Sequence, residues 1–524
     1  MNTFKKKSLH VAVLAGLGAL GAAGTADAVH INPDGLGQVL LFPYYTTRSV
    51  GSNAYNSLIS IVNTSTTSKI VKVRFLEGKA SREVLDFNLF LSPDDIWTGA
   101  IIPTADGAQI ATNDNSCVAP SDLFTRAPGV LEAFKNFAYT ITPWSAAGVS
   151  LDRTREGYVE VLEMATVTLP QVIGYLTHSQ TTGIPANCAA LDALDANVNN
   201  VGTVKFPNVG TAMTSPPTGG LSGRMSIINA AVGTNFSYDA TALDAWTNAI
   251  QYTEAGNILP NLGSPTDATG RTSNVFVNGG VVSTVWASTA DSVSASMMRD
   301  AVINEFILDT ATGSSTDWVV TFPTKNLYIG VLGPAVGSPF QNAFVATGSC
   351  DPYGVAIFDR EEKVPAGATT QILPSPAPPI GVIPGSNLCW EANVVPFQAA
   401  SLLASTNTNP LVAQIQAFAA AARTTAGTRT SVASGTQQGP NGFFYMSFAD
   451  RTKQKLQPLA GTVTLNGAAV ANVGNPSVVL PLTIGAHYGL PVIGFAVHNY
   501  TRAGVVSNYG GVLNHKYTRL IPTT

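Results

Sequence analysis

Lys69-Ile-Val-Lys-Val-Arg-Phe-Leu76, followed after a short turn by Glu83-Val-Leu-Asp-Phe-Asn-Leu-Phe-Leu91, decides the fold class of this chain. In the first run Val71, Val73 and Phe75 fall on one side and Lys72 and Arg74 on the other. In the second, Leu85, Phe87, Leu89 and Leu91 share a side. A period of two is the repeat of an extended chain, whose side chains point to opposite faces in turn. Gly78 to Ser81 supplies the turn between the two runs. Upstream, Leu58 to Val62 is a short apolar run closed by Asn63-Thr-Ser-Thr-Thr-Ser68. Three such runs in succession predict an antiparallel meander with Val71, Val73, Phe75, Leu85, Phe87 and Leu89 in its core. On this reading Phe87→Ala costs about 3–5 kcal/mol, while Lys72→Ala, on the wet face, is nearly silent.

From Leu36 to Ile102 the strand–turn–strand pattern resembles the immunoglobulin-like sandwiches common in bacterial surface proteins. The resemblance implies a fold and no activity. Further strands are expected at Gly157–Met164, Arg224–Ala231, Thr316–Phe322, Val355–Arg360, Gly442–Phe448, Val478–Leu482 and Pro491–Tyr500. Helices are expected at Asp239–Tyr252, where Leu243, Trp246 and Ile250 have helical spacing, and at Asp291–Leu308, with Asp291 and Ser292 as caps. The Ala-rich stretch Pro410–Arg423 is a third. Pro207–Gly223 and the proline-rich Val364–Gly385 read as long loops. The predicted class is mainly β: antiparallel β-sandwich elements, immunoglobulin-like, with a few inserted α-helices and long loops. Four regions are expected: a signal peptide at 1–28, a sandwich-like region at 29–115, a mixed region at 116–330 and a β-rich region at 331–524.

The signal reading rests on three parts. Lys5-Lys6-Lys7 is a basic start, Val11–Ala23 is a short apolar run, and Ala26-Asp27-Ala28 fits a small-x-small cleavage site, placing the mature end at Val29. The apolar run is shorter than the about 20 residues of a membrane span. Cleavage would remove Lys5, Lys6, Lys7 and Asp27 from totals of 28 basic and 32 acidic residues, leaving a net charge of about −6. Charged residues make up 11% of the chain, less than half the usual share. With no basic cluster beyond the signal, nucleic acid is not an expected partner. No later stretch is apolar enough for a transmembrane helix, and the terminal Leu520-Ile-Pro-Thr-Thr524 lacks the closing aromatic common in outer-membrane barrels.

Cys117, Cys188, Cys350 and Cys389 are an even set in an exported chain and read as two disulfides. Three pairings are possible, and the sequential one, Cys117–Cys188 with Cys350–Cys389, closes the shortest loops. No pair has Cys-x-x-Cys spacing. Beyond Val29 the histidines are His30, His178, His487, His498 and His515, with no His-x-His or His-x-x-x-His pair, so structural roles are expected. Glu160 and Glu163 sit three apart on a strand and point to opposite faces, which denies them the facing geometry of a glycosidase pair. Asp94-Asp95 after Ser92-Pro93 reads as a turn cap, and Asp359-Arg360-Glu361-Glu362 as a solvated strand end. Asn113-Asp114-Asn115 and Asn32-Pro33-Asp34-Gly35 are oxygen-rich turns that fit no EF-hand or nonapeptide repeat, though an irregular calcium site is conceivable. No Gly-x-Ser-x-Gly elbow occurs. Tyr44-Tyr45 and Phe443-Phe444-Tyr445 could stack on sugars, and more often are strand core.

The expectation is therefore a non-enzymatic cell-surface or matrix structural protein of a Gram-negative-type bacterium, S-layer-like or adhesive, with no catalytic residue and no cofactor unless calcium. Self-association is its expected partnership, with polysaccharide or the outer-membrane surface as further contacts. A secreted carbohydrate-binding protein or glycan-active enzyme is the first alternative, and an outer-membrane-associated β protein the second.

Overall fold

A computed structural model describes residues 27–523 apart from 125–129, 196–212, 309–311, 331–332, 335–336, 360–386, 410–440, 449, 461, 471–481 and 502–507. The chain is mainly β, built as several antiparallel sheets of which none closes. The strands that organise it are β1 (Val39–Thr46), β2 (Asn56–Asn63), β3 (Ser68–Glu77), β4 (Glu83–Leu91), β5 (Ile96–Pro103), β6 (Ala108–Thr112), β7 (Glu156–Val167), β8 (Leu221–Asn229), β9 (Ser315–Thr321), β10 (Ala392–Pro396) and β11 (Ile493–Thr501). One sheet runs His30–Ile31, Thr241–Asp244, β1, β7, β3, β4, Cys117–Ala119, and so draws on residues either side of 115. A second runs Val130–Ala133, β6, β5, β2, β8, Thr234–Asp239. A third, from the C-terminal half, runs β10, β9, β11, Asn508–Asn514.

The alternation of residues 69–91 assigns faces correctly. Val71, Val73, Phe75, Phe87, Leu89 and Leu91 belong to the largest hydrophobic cluster, and Leu85 packs against it half-buried. Ile59, Ile61, Trp97 and Ile101 enter the same cluster from the second sheet, with the Phe87 and Trp97 ring centroids 5.5 Å apart. The expected three-strand meander is corrected: β3 and β4 form a hairpin, but β2 lies in the other sheet, between β5 and β8. Asn63 turns the chain between sheets, its amide donating to the carbonyls of Thr67 and Ser92. Periodicity reports which face a residue occupies and is silent about its neighbour.

Lys72 and Arg74 do lie opposite Val71 and Val73, but that face is covered, so the expectation of a wet face is wrong. Lys72 is fully buried, its Nζ 3.0 Å from Asp86 and bonded to the carbonyls of Glu254 and Asn257. Arg74 bridges Glu83 and Glu160 at 2.9 and 2.5 Å. Leu162, in register with Lys72, and Leu41, in register with Glu160, join a cluster with Leu243, Trp246 and Leu262. With both faces of the sheet buried, charges on the second face persist only as pairs.

Of the helices, α1 (Pro170–Leu176), α2 (Cys188–Asp195) and α3 (Thr289–Met297) are formed among the described residues. The helix expected at 239–252 is instead strand Thr241–Asp244, with Leu243 opposite Val39, followed by a loop entered through Ala245 at φ 51°. Leu243 and Trp246 reach one cluster all the same, which is why their spacing mimicked a helix. The helix expected at 291–308 stops at Met297, and Ala301–Ile307 is a strand. Its cap is Ser288, whose hydroxyl accepts from the Asp291 amide, and the run Ala-Val-Ile-Asn-Glu-Phe-Ile beyond is β-branched and alternates. The other expected strands form at β7, β8, β9, Gly354–Asp359, Asn441–Ser447 and β11. The helix expected at 410–423, the proline-rich loop 364–385, and all but the last residue of the strand expected at 478–482 fall outside the described residues.

Both disulfides form in the sequential pairing, Cys117–Cys188 and Cys350–Cys389. The first joins the edge strand Cys117–Ala119 of the first sheet to the start of α2.

Candidate functional site

A groove of about 560 Å³ opens where the turn Asn32–Gly35, the start of β8 and the connection Asp239–Ala242 meet the C-terminal half at Arg299, Val302, Val492–Gly494, Asn514, His515 and Tyr517. Its size is that of a small-ligand site. The turn is held by its own side chain: Asn32 Oδ1 accepts the Asp34 amide, and its Nδ2 donates to the Leu36 carbonyl. On the opposite wall Gly494 passes so close to β9 that a Cβ would stand 2.0 Å from the Val319 carbonyl oxygen; only glycine fits there.

The charges of the groove are unequally provided for. Arg224 on β8 pairs with Asp239 at 2.9 Å, at an exposed rim. Arg299 is different. It is 4% exposed, and among the described residues its Nη1 alone has acceptors, the carbonyls of Ser296 and Met298 at 3.2 and 2.8 Å. Its guanidinium carbon sits 3.7 Å from the centroid of Tyr517. Arg519 approaches the same ring at 5.4 Å and also donates to Ser296. Burial, and then the charge of Arg519, push the Arg299 guanidinium well below its ordinary range, with Tyr517 opposing. Tyr517 is half exposed.

His515 closes one end with both nitrogens engaged, Nε2 at 3.0 Å from the Val319 carbonyl and Nδ1 at 3.0 Å from the Asn304 amide. A carbonyl accepts and an amide donates, so the ring is neutral with its proton on Nε2; burial lowers it to about 4. The three late histidines stay apart in the fold: His487 packs edge-on against Trp286, and His498 reaches the Glu305 carbonyl at 3.4 Å. His30 turns back on the Ala28 carbonyl, and His178 lies 3.7 Å from Asp95.

A second recess of about 350 Å³ is lined by Asp86, Asp192, Asp195 and Glu254. Its carboxylates are occupied. Asp86 holds Lys72, Asp192 accepts from the amide and hydroxyl of Ser121, and Asp195 accepts from Asn88, Tyr252 and the Ala255 amide. Of the oxygen-rich turns, Asp114 caps Ser116 and Thr98, while Asn32–Gly35 forms the groove wall. Among the described residues no group of three or more His, Cys, Asp or Glu is placed to hold a metal ion.

Other residues singled out in the sequence find structural partners. Glu160 and Glu163 are buried apart, on Arg74 and Lys69. Asp95 caps the turn at Ser92. Tyr44 and Tyr45 are core, their hydroxyls on Glu156 and the Thr154 carbonyl. Phe444 is buried, and Phe443 stacks on Phe358 with centroids 4.9 Å apart. Arg299, Tyr517 and Arg519 carry no sequence motif. They meet only because the strand that follows Arg299 pairs with Lys516–Thr518, more than 200 residues further on.

One further buried group stands out. Glu391 is fully buried beside Lys325, Glu77 and Ser81. Burial raises it to about 8 against the opposing pull of Lys325. No helix among the described residues is long and apolar enough to cross a membrane. Comparison with protein-family models, with curated proteins and with solved structures finds no match to this chain.

Proposed function

We propose that this chain is an exported, non-catalytic subunit of a cell surface or extracellular matrix, S-layer-like or adhesive, that assembles with copies of itself through immunoglobulin-like sandwich elements. The sandwich reading draws support from the shared cluster between the first two sheets. Export draws support from the basic and apolar start of the chain and from two disulfides. The observation that carries assembly is an apolar strip on a sheet edge. Val130–Ala133 pairs with β6 on one side only, and Leu131 on it is exposed. Phe137 and Ile141 follow, 76% and 59% exposed, and Val149 is held beside Asn136 by its carbonyl. An edge strand offers unpaired amides and carbonyls to a neighbour, and large exposed apolar residues gathered in one stretch mark contact surfaces.

Sedimentation velocity on the purified protein at micromolar concentration, with and without calcium, should show oligomers. Phe137→Asp with Ile141→Asp should shift them to monomer. Monomer under every condition, together with hydrolysis of a polysaccharide, would replace this reading with that of a secreted glycan-active enzyme. Mass spectrometry of the envelope fraction should find the mature end at Val29; an intact Met1 would overturn export. The groove favours one second reading, carbohydrate binding, because a half-exposed tyrosine there stands among amide and hydroxyl groups.

A further inference from the structure

We propose that the groove between the turn Asn32–Gly35 and Tyr517 binds an acidic saccharide, whose carboxylate is received by Arg299. The starting point is an imbalance of charge. Arg299 and Arg519 converge on one carbonyl, that of Ser296, and on one ring, that of Tyr517. Neither forms an ion pair with a carboxylate among the described residues. Arg299 is buried and Arg519 only partly so, and a buried guanidinium with a second beside it is costly without an anion.

The protein supplies part of an answer. Ser296 and Met298 lie at the C-terminal end of α3, where the aligned peptide dipoles amount to roughly half a negative charge. Cation–π contact with the face of Tyr517 adds a further, modest attraction. Arg519 is partly exposed and has the Phe276 carbonyl as a second acceptor, but half a charge does not balance the buried Arg299, so helix capping alone does not account for it.

Geometry indicates what is missing. A guanidinium has five N–H donors. Nη1 of Arg299 serves the two carbonyls, and among the described residues Nε and Nη2 have no acceptor. Nε–H and Nη2–H form one edge of the fork, the edge that meets a carboxylate in two parallel hydrogen bonds. Arg299 lines the groove. An anion there would also return its guanidinium towards its ordinary range.

The rest of the lining selects the bearer of that anion. Tyr517 offers an aromatic surface, and Ser222 and Asn514 offer neutral polar groups, which suits the hydroxyls and ring face of a sugar. Asp34 and Asp239 also face the groove, Asp239 tied to Arg224. They repel dense polyanions and favour a chain with one carboxylate per sugar. The inference deepens the carbohydrate-binding reading and is independent of the assembly strip.

The test is calorimetric titration of the purified protein with tetragalacturonate, with maltotetraose as the neutral control and sodium sulfate as a free anion. Tetragalacturonate should bind, maltotetraose should bind at least tenfold more weakly, and Arg299→Gln should abolish that preference. Raising sodium chloride from 50 to 500 mM should weaken the acidic ligand severalfold and leave the neutral one unchanged. This salt arm needs no variant and decides the matter if Arg299→Gln fails to fold. Equal binding of both saccharides, unaffected by Arg299→Gln, would overturn the proposal and leave carbohydrate binding standing. Binding of neither would overturn both. Sulfate binding as tightly as tetragalacturonate would overturn the saccharide as ligand.

Discussion

Lys72 shows what a single residue can and cannot disclose. Its sequence context assigned it the face opposite Val71, which is correct, and from that face solvent was inferred, which is not. The cover comes from residues more than 180 positions away, whose carbonyls at Glu254 and Asn257 complete its hydrogen bonds. No local pattern encodes such a partner. Removing Lys72 would leave Asp86 without its buried counter-ion, so Lys72→Ala should cost about 3–5 kcal/mol, comparable with Phe87→Ala. Urea denaturation of the two variants measures both, and a Lys72→Ala loss under about 0.5 kcal/mol would mean that the ammonium is hydrated. Glu391 gives a prediction in pH. Its carboxyl titrates at about 8 in the folded chain and near 4.3 when unfolded. Between these values the folded state holds the extra proton, so stability falls as pH rises from about 4.3 to 8. Glu391→Gln should remove that slope and gain a few kcal/mol at pH 8, with little change at pH 4. Thermal melts across the range read this, and parallel curves for the two proteins would exclude it.

Elements were legible in proportion to how local their causes are. Strands β3 and β4 follow from alternation, and their hairpin from the turn between them. The sheet to which β2 belongs depends on β8, which lies far along the chain, and nothing between 56 and 68 states it. The helix at 289–297 was detected and then extended too far, because Ile303 and Ile307 continue a helical spacing by chance while their branched side chains suit the strand they form. Its expected beginning at Asp291 lies two residues late, since the helix starts at Thr289. Ser288 is the cap, accepting from the Asp291 amide at 3.2 Å and donating to the Asp291 carboxylate at 2.7 Å. Ser288→Ala should therefore cost about 1 kcal/mol, whereas Ser292, which bonds the Gly270 and Thr289 carbonyls inside the helix, is not a cap. Equilibrium unfolding of the Ser288→Ala variant measures the cap, and unchanged stability would remove it. The groove was beyond reach for the same reason: its walls are brought together from residues near 32, 223, 240, 299, 493 and 515.

At the scale of the molecule, the two halves share one interior. Leu40 and Phe42 from the start of the chain occupy the same cluster as Trp318, Val394 and Phe495 from its end. Glu156 fastens the seam. One carboxylate oxygen takes Arg48 and the amide and hydroxyl of Thr406, and the other takes Tyr44 and Ser405. The cysteines were the most legible long-range feature, because parity and compartment limit their choices before any geometry is known.

Each bridge also turns part of the backbone into a covalent ring, one of 71 residue steps and one of 39. A ring cut once is still one piece. A protease that severs the chain anywhere between 117 and 188, or between 350 and 389, therefore releases nothing, and the nicked molecule keeps its full mass until a reductant opens the bridge. On a non-reducing gel such a cut should be invisible, and with reductant it should resolve into two bands. Wherever the chain meets proteases, these stretches can accumulate damage without losing material.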